Sequence, residues 1–218
     1  MAGKIIVKFG IMPIFFQQDI DECTKLGVWK IEEDEAFFLQ HVPLQRDITH
    51  PHKRLQHLAG RYLLQYLFPD FPTALIRIAD TRKPFLENEA YHFSISHCTV
   101  FAAVIASTQN RVGVDVEVAS GKIEKIRHKF LSRAEQDRVL DHRGVKEGLT
   151  LAWSCKEAVF KWYGLGGVDF REHMEIKTII TSSDSTSNSI ILFKKNEDLF
   201  LDLHSYFFDG LCLSYVFT

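Results

Sequence analysis

The chain has 218 residues, 46% of them hydrophobic, and a formal net charge of −2. That length allows one large domain or two small ones, with ample apolar material for a core. The near-neutral balance gives no basic field for nucleic acid, and no apolar run approaches the ~18 residues of a membrane span.

From the N-terminus, MAGKIIVKFGIMPIFF lacks a small-residue cleavage pattern, and a strand is expected from Lys4 to Phe9, continued at Ile14 to Gln18 after Pro13. Cys23, Cys98, Cys155 and Cys212 are widely spaced without a C-x-x-C, so four free, mostly buried thiols in a reducing cytoplasm are expected. Ile31 to Val42 reads as a helix. Its acids (Glu32, Glu33, Asp34, Glu35) suit the positive end of the macrodipole and read as solvated. A second helix starts at Pro51, repeats Leu55, Leu58, Ala59, Tyr62, Leu63, Tyr66 and Leu67 with 3.6 periodicity, and ends at Phe68-Pro69. Its other face carries His50, Lys53, Arg54, His57 and Arg61. This reads either as a solvated basic face or as a surface for an anion or an acidic partner, with Arg61 in structural ion pairs.

Ala74 to Ala79 predicts a strand, Thr81-Arg82-Lys83-Pro84-Phe85 a basic loop, Tyr91 to Ser96 a strand and Val100 to Ala106 its return. Ser107 to Asn110 is a turn cluster at the midpoint, dividing the chain into expected units 1–108 and 109–218. After it come a strand over Arg111 to Ala119, helices at about 123–130, 133–142 and 149–163, and strands near 174–180, 189–195, 198–208 and 211–217. The polar stretch 181–188 reads as a turn between strands, and Ser132-Arg133-Ala134-Glu135 is a capping box.

Two stretches carry chemistry. In RVGVDVEVA (Arg111 to Ala119) alternation puts Gly113, Asp115 and Glu117 on one strand face. In LAWSCKEAVFKWY (Leu151 to Tyr163) Ala152, Cys155, Val159 and Trp162 form one apolar stripe. Trp153, Glu157 and Lys161 lie on the opposite side flanked by Phe160, and Gly164, Gly166 and Gly167 end the helix. Taken separately, Glu157/Lys161 is an i,i+4 ion pair and D-x-E a wet strand face. Together, three carboxylates make an oxygen-rich place for a hard cation such as Mg²⁺.

VGVDVE followed about forty residues later by WSCKEAVFK resembles the signature of the 4′-phosphopantetheinyl transferases, of the longer, surfactin-synthetase-activating type. The resemblance implies an α+β fold of two similar halves related by a pseudo-twofold, the 4′-phosphopantetheinyl transferase fold. It also implies a cytoplasmic monomer, and transfer of 4′-phosphopantetheine from coenzyme A to a serine of an acyl or peptidyl carrier protein. The implied catalytic residues are Glu157, Lys161 and Asp115. The implied ligands of Mg²⁺ (or Mn²⁺) are Asp115, Glu117 and Glu157, with Glu157 as ligand, base or both. For coenzyme A the resemblance points to Arg54, Lys83, Ser96, His97, Lys156 and Lys161. Lys83 sits in a segment like the family's Gly-Lys-Pro with Arg82 in place of Gly. Ser96 and His97 lie in FSISHC, like the family's F-N-I-S-H-S, with Ser94 and Cys98 departing from it. Glu135 falls where some members have a Glu near the reacting centre. Lys122, Lys125, Arg127 and Lys129 are candidates for meeting an acidic carrier, or form a solvated face.

Two other readings compete. A different Mg²⁺-dependent phosphate enzyme would need a nucleotide-phosphate loop, and no G-x-x-x-x-G-K-[ST] exists. A non-catalytic module binding carrier protein or coenzyme A would be expected to lose Asp115, Glu157 or Lys161.

Overall fold

The computed structural model describes residues 5–6, 14–140, 144–182 and 184–218, and divides into two compact units, Met1–Val112 with Thr218 and Gly113–Phe217. Both are α+β. Most of the strand expected from Lys4 to Phe9 lies outside the described residues; β1 (Ile5–Ile6) is what is described of it.

Unit 1 holds a five-stranded sheet in the order β1, β2 (Ile14–Asp19), β3 (Thr24–Lys30), β7 (Phe101–Ser107), β6 (His92–Cys98). All its neighbours are antiparallel. Strand β3 is absent from the sequence expectation. It is central, so Leu26, Val28 and Trp29 are all buried and TKLGVWK shows no alternation to detect. Helix α2 (Pro51–Leu67) packs on it closely enough that a Cβ at Gly27 would lie 3.2 Å from both Leu63 and Leu67.

Helix α1 is shorter than expected, Glu35–Leu39, because Asp34 caps it by accepting from the Phe37 N–H at 2.9 Å. Its acids are not simply solvated. Glu33 accepts from the Trp29 indole and Glu35 pairs with Arg54. The strand expected at Ala74 to Ala79 is instead a 3₁₀ turn (Thr73–Leu75) and a two-residue β4 (Arg77–Ile78) against β5 (Pro84–Phe85). Arg82, in that hairpin, has φ 67°, the left-handed region that favours glycine.

Unit 2 follows the same rule of connection. In unit 1 the strand before the helices, β3, pairs with the unit's last strand, β7. In unit 2 the strand before the helices, β8 (Val112–Val118), neighbours the last strand, β12 (Leu211–Phe217). The sheet continues outward through β11 (Leu199–Phe208), β10 (Thr186–Phe193) and β9 (Met174–Thr181). Between them run α3 (Lys122–Phe130), α4 (Arg133–Leu140) and α5 (Val145–Tyr163). The last residues of the helix expected over 133–142 lie outside the described residues. Helix α5 begins a turn earlier than expected and stops at Gly164, φ 72°, whose N–H reaches Phe160 O.

The expected stripe of α5 is buried: Ala152 0%, Cys155 1%, Val159 0% and Trp162 5% exposed. All four cysteines are free thiols, Cys155 and Cys212 buried, Cys23 and Cys98 half-buried.

Candidate active site

Gly113 lets helix and strand meet. A Cβ there would stand 2.1 Å from Ala158 O and 2.7 Å from Trp162 N, both backbone atoms, so only glycine allows α5 to lie this close to β8. The next residues on that strand face then fall under the helix. Asp115, 2% exposed, accepts from Lys161 Nζ at 2.7 Å. Glu117 accepts from Trp153 Nε1 at 3.2 Å. Strand numbers rise as helix numbers fall, so β8 and α5 run in opposite directions, and Glu157 comes between these two contacts.

The far side of α5 is roofed rather than solvated. Trp153 packs edge-on against Phe130 (5.1 Å between centroids) and near Phe170 (5.5 Å), and Phe160 also meets Phe170. Burial drives the Glu157 carboxyl up to about 7; the charge of Asp115 adds to this and Lys161 opposes it. Glu117 is also raised, first by burial and then by Asp115. Three carboxylates thus share one ammonium in a partly dry place.

Such a donor set, all oxygen and net negative, suits a hard divalent cation in kind. The raised carboxyls record burial first and mutual repulsion second, which Lys161 only partly offsets. As the side chains stand, no three His, Cys, Asp or Glu among the described residues are gathered closely enough to chelate an ion. Binding would require the carboxylates to draw in, with Lys161 easing away from Asp115.

Two expected coenzyme A residues have other duties. Lys156 is fully buried and points away from the carboxylates. Its ammonium meets Glu135 Oε1 at 2.6 Å and the carbonyls of Phe130, Phe170 and Met174 at 2.8–2.9 Å. Glu135 completes the capping box, Oε2 accepting from Ser132 N at 2.8 Å, while Oε1 also accepts from Ile176 N. Lys156 and Glu135 form a buried pair joining α5, α4 and β9. Arg54 is engaged as well: its Nε and Nη2 meet Glu35 at 2.8 Å and its Nη1 meets Ile48 O at 3.0 Å. A phosphate there would have to displace a carboxylate.

Lys83, Ser96 and His97 belong to unit 1. Lys83 is lowered to about 8 by burial and then by the charge of Arg111. Ser96 is buried at 6% exposure on β6, with His97 exposed next to it. The reading of α2's polar side as solvated fails at His57 and Arg61, 8% and 5% exposed, and Arg61 has no carboxylate partner among the described residues. Sequence reasoning also missed Trp153 as the donor that orients Glu117, although a Trp one turn before Glu157 on a two-sided helix was the available signal.

Comparison with known proteins adds the following. Residues 111–216 match the model of the 4′-phosphopantetheinyl transferase superfamily. The chain is 32% identical over 113 residues to enterobactin synthase component D of Escherichia coli O157:H7, and equally to that of Shigella flexneri. The corresponding protein of Escherichia coli strain K12 is 31% identical over 113 residues. Each match covers 50% of this chain and 54% of the relative, so the chain spans about half the length of the curated relatives it matches.

Proposed function

We propose that the protein transfers 4′-phosphopantetheine from coenzyme A to a serine of an apo carrier protein, a reading supported by the match of residues 111–216 to the model of the 4′-phosphopantetheinyl transferase superfamily. The observation that carries this reading is the meeting of the two sequence motifs in one place: Asp115 and Glu117 of β8 under Lys161, Glu157 and Trp153 of α5.

In the proposed reaction the serine oxygen forms a bond to the phosphorus that bears pantetheine. The bond from that phosphorus to the bridging pyrophosphate oxygen breaks, and adenosine 3′,5′-bisphosphate leaves. The serine proton passes to Glu157, whose carboxyl, held near 7, is matched to accept it at neutral pH. Lys161 neutralises charge growing on the phosphate oxygens or returns a proton to the leaving group. Before a cation binds, Asp115 holds the Lys161 ammonium at 2.7 Å. Asp115, Glu117 and Glu157 would hold Mg²⁺, which supplies charge neutralisation at the pyrophosphate. Lys83, Ser96 and His97 remain the proposed coenzyme A contacts of unit 1.

The proposed partner is an acidic acyl or peptidyl carrier protein. Exposed Lys122, Lys125 and Lys129 on α3, with half-buried Arg127, offer it a local basic surface.

The test is the intact mass of a purified apo carrier protein after incubation with this protein, coenzyme A and Mg²⁺, with an EDTA control. A gain of one phosphopantetheine group, lost with EDTA, is expected. Coenzyme A binding without any mass change across several carriers would favour a non-catalytic module instead. No coenzyme A binding would remove the reading altogether.

A further inference from the structure

The Lys156 ammonium has more partners than an ion pair needs. Besides Glu135 Oε1 at 2.6 Å, it donates to Phe130 O at 2.8 Å, Phe170 O at 2.9 Å and Met174 O at 2.8 Å. Phe130 is the last residue of α3, where a helix leaves carbonyls without intrahelical partners. Phe170 lies in the turn between α5 and β9, outside any helix or ladder. An apolar side chain of similar size at 156 would fill the space but could donate to none of these oxygens.

The same two residues also hold Trp153. Phe130 meets the indole edge-on, with centroids 5.1 Å apart and an interplanar angle of 71°, and Phe170 meets it at 5.5 Å and 36°. One ammonium therefore grips the main chain of both residues whose rings clamp one indole. The polar edge of that indole donates from Nε1 to Glu117 Oε1 at 3.2 Å. Trp153 has rotatable side-chain bonds of its own, so the direction of its N–H is set by what packs on its ring.

The turn carrying Phe170 is fixed on either side as well. Asp169 Oδ1 accepts from Arg171 N at 2.8 Å and Glu172 N at 3.0 Å, and His173 Nδ1 accepts from Asp169 N at 2.8 Å. Lys195 Nζ donates to Gly167 O. A turn bonded in this way carries the Phe170 ring with its backbone, so release of the Phe170 carbonyl would be felt at Trp153.

We propose that Lys156 and Glu135 are positioning residues for Glu117, acting through Phe130 and Phe170 on Trp153. Glu135 anchors the ammonium, the ammonium fixes the two carbonyls, the two rings fix the indole, and the indole fixes one oxygen of Glu117. The other oxygen is then presented in one direction. What that direction does for phosphoryl transfer rests on the transferase reading; the chain of contacts does not.

The experiment reads the indole N–H resonances of the full ¹⁵N-labelled chain. The sequence has three tryptophans, and the Trp153 signal is assigned by its loss in Trp153→Phe. In Phe170→Leu that signal is expected to move and its exchange with water to quicken about tenfold, the loss of one ring of the clamp and of the hydrogen bond it directs. Phe170→Tyr, which keeps the ring, should restore both. Glu135→Gln, which keeps the capping box and so the fold, should move the same signal in the same direction. Leu203→Ala, a core change on β11, should lower Tm and leave that signal in place. In carrier-modification assays, Phe170→Leu should raise the Mg²⁺ requirement about tenfold with KM for coenzyme A unchanged, as expected when a partner of a metal-holding carboxylate is lost. A merely structural loss would lower the active fraction and leave both requirements alone. A Trp153 signal unmoved in Phe170→Leu or in Glu135→Gln would overturn the proposal, as would one moved equally by Leu203→Ala. The indole is read without turnover, so a native chain that modifies no carrier would count against the transferase reading while the indole still decides the positioning.

Discussion

Lys161 Nζ lies 2.7 Å from Asp115 Oδ1, an ion pair that ties α5 to β8 across the point where the helix passes over Gly113. Asp115 is 2% exposed, so this pair is held largely out of bulk water. Asp115→Asn and Lys161→Ala should each lower turnover at least about tenfold, the size of losing one charge-stabilising group, while circular dichroism stays native. Full rate in both variants would refute their assignment to the chemistry.

Glu157 should make stability depend on pH. Its carboxyl is raised from 4.5 to about 7 in the folded chain, so the folded state holds the proton more tightly than the unfolded state. Stability is therefore fully present below 4.5 and declines as pH rises toward 7. Glu157→Gln should match the native Tm in acid, exceed it above neutrality and flatten the profile between. Mg²⁺ alone should raise the native Tm more at pH 8 than at pH 5, since only the deprotonated carboxylates attract it.

Gly113→Ala should be among the most damaging single-methyl changes in unit 2. The added carbon would lie 2.1 Å from Ala158 O, and a backbone atom cannot rotate aside. Overpacking commonly costs about 1–3 kcal/mol, and this site should fall at or beyond the upper end. The denaturant midpoint of the purified variant measures it; an unchanged midpoint would mean that α5 does not sit against β8 as described.

The Lys156–Glu135 pair should behave as structure and not as a ligand site. Lys156→Met leaves Glu135 buried and charged, and should cost about 3–5 kcal/mol, with part recovered in Lys156→Met/Glu135→Gln. The folded fraction of either variant should keep the native KM for coenzyme A. A raised KM with unchanged stability would return Lys156 to the list of ligand contacts.

How far the sequence could be read depended on where each residue stands in its element. Helices α2 and α5 were legible because one strongly apolar face repeats at 3.6 residues, and β8 because Val112, Val114, Val116 and Val118 alternate with Gly113, Asp115 and Glu117. Strand β3 was not, because a central strand buried on both faces has no alternation. The short α1 was not, because Glu32 and Glu33, at the expected helix start, serve Lys30 and Trp29 ahead of the helix.

The sequence by itself determined the kinds of chemistry available: three carboxylates and a lysine at helix and strand spacing, with a glycine placed for close approach. Spacing gives direction along an element and so places those groups on faces. It does not give the partner that a long, flexible side chain reaches. Lys156 and Lys161 are five positions apart on one helix, yet one is sealed against three carbonyls and Glu135 while the other pairs with Asp115 at the site. His57 lay on a face open to reading as solvated and Arg61 read as an ion-pair partner, yet both are buried and Arg61 has no carboxylate partner among the described residues. Only the tertiary structure decided these, because a charge's role is set by what else is brought within a few ångströms of it, and those neighbours come from distant parts of the chain.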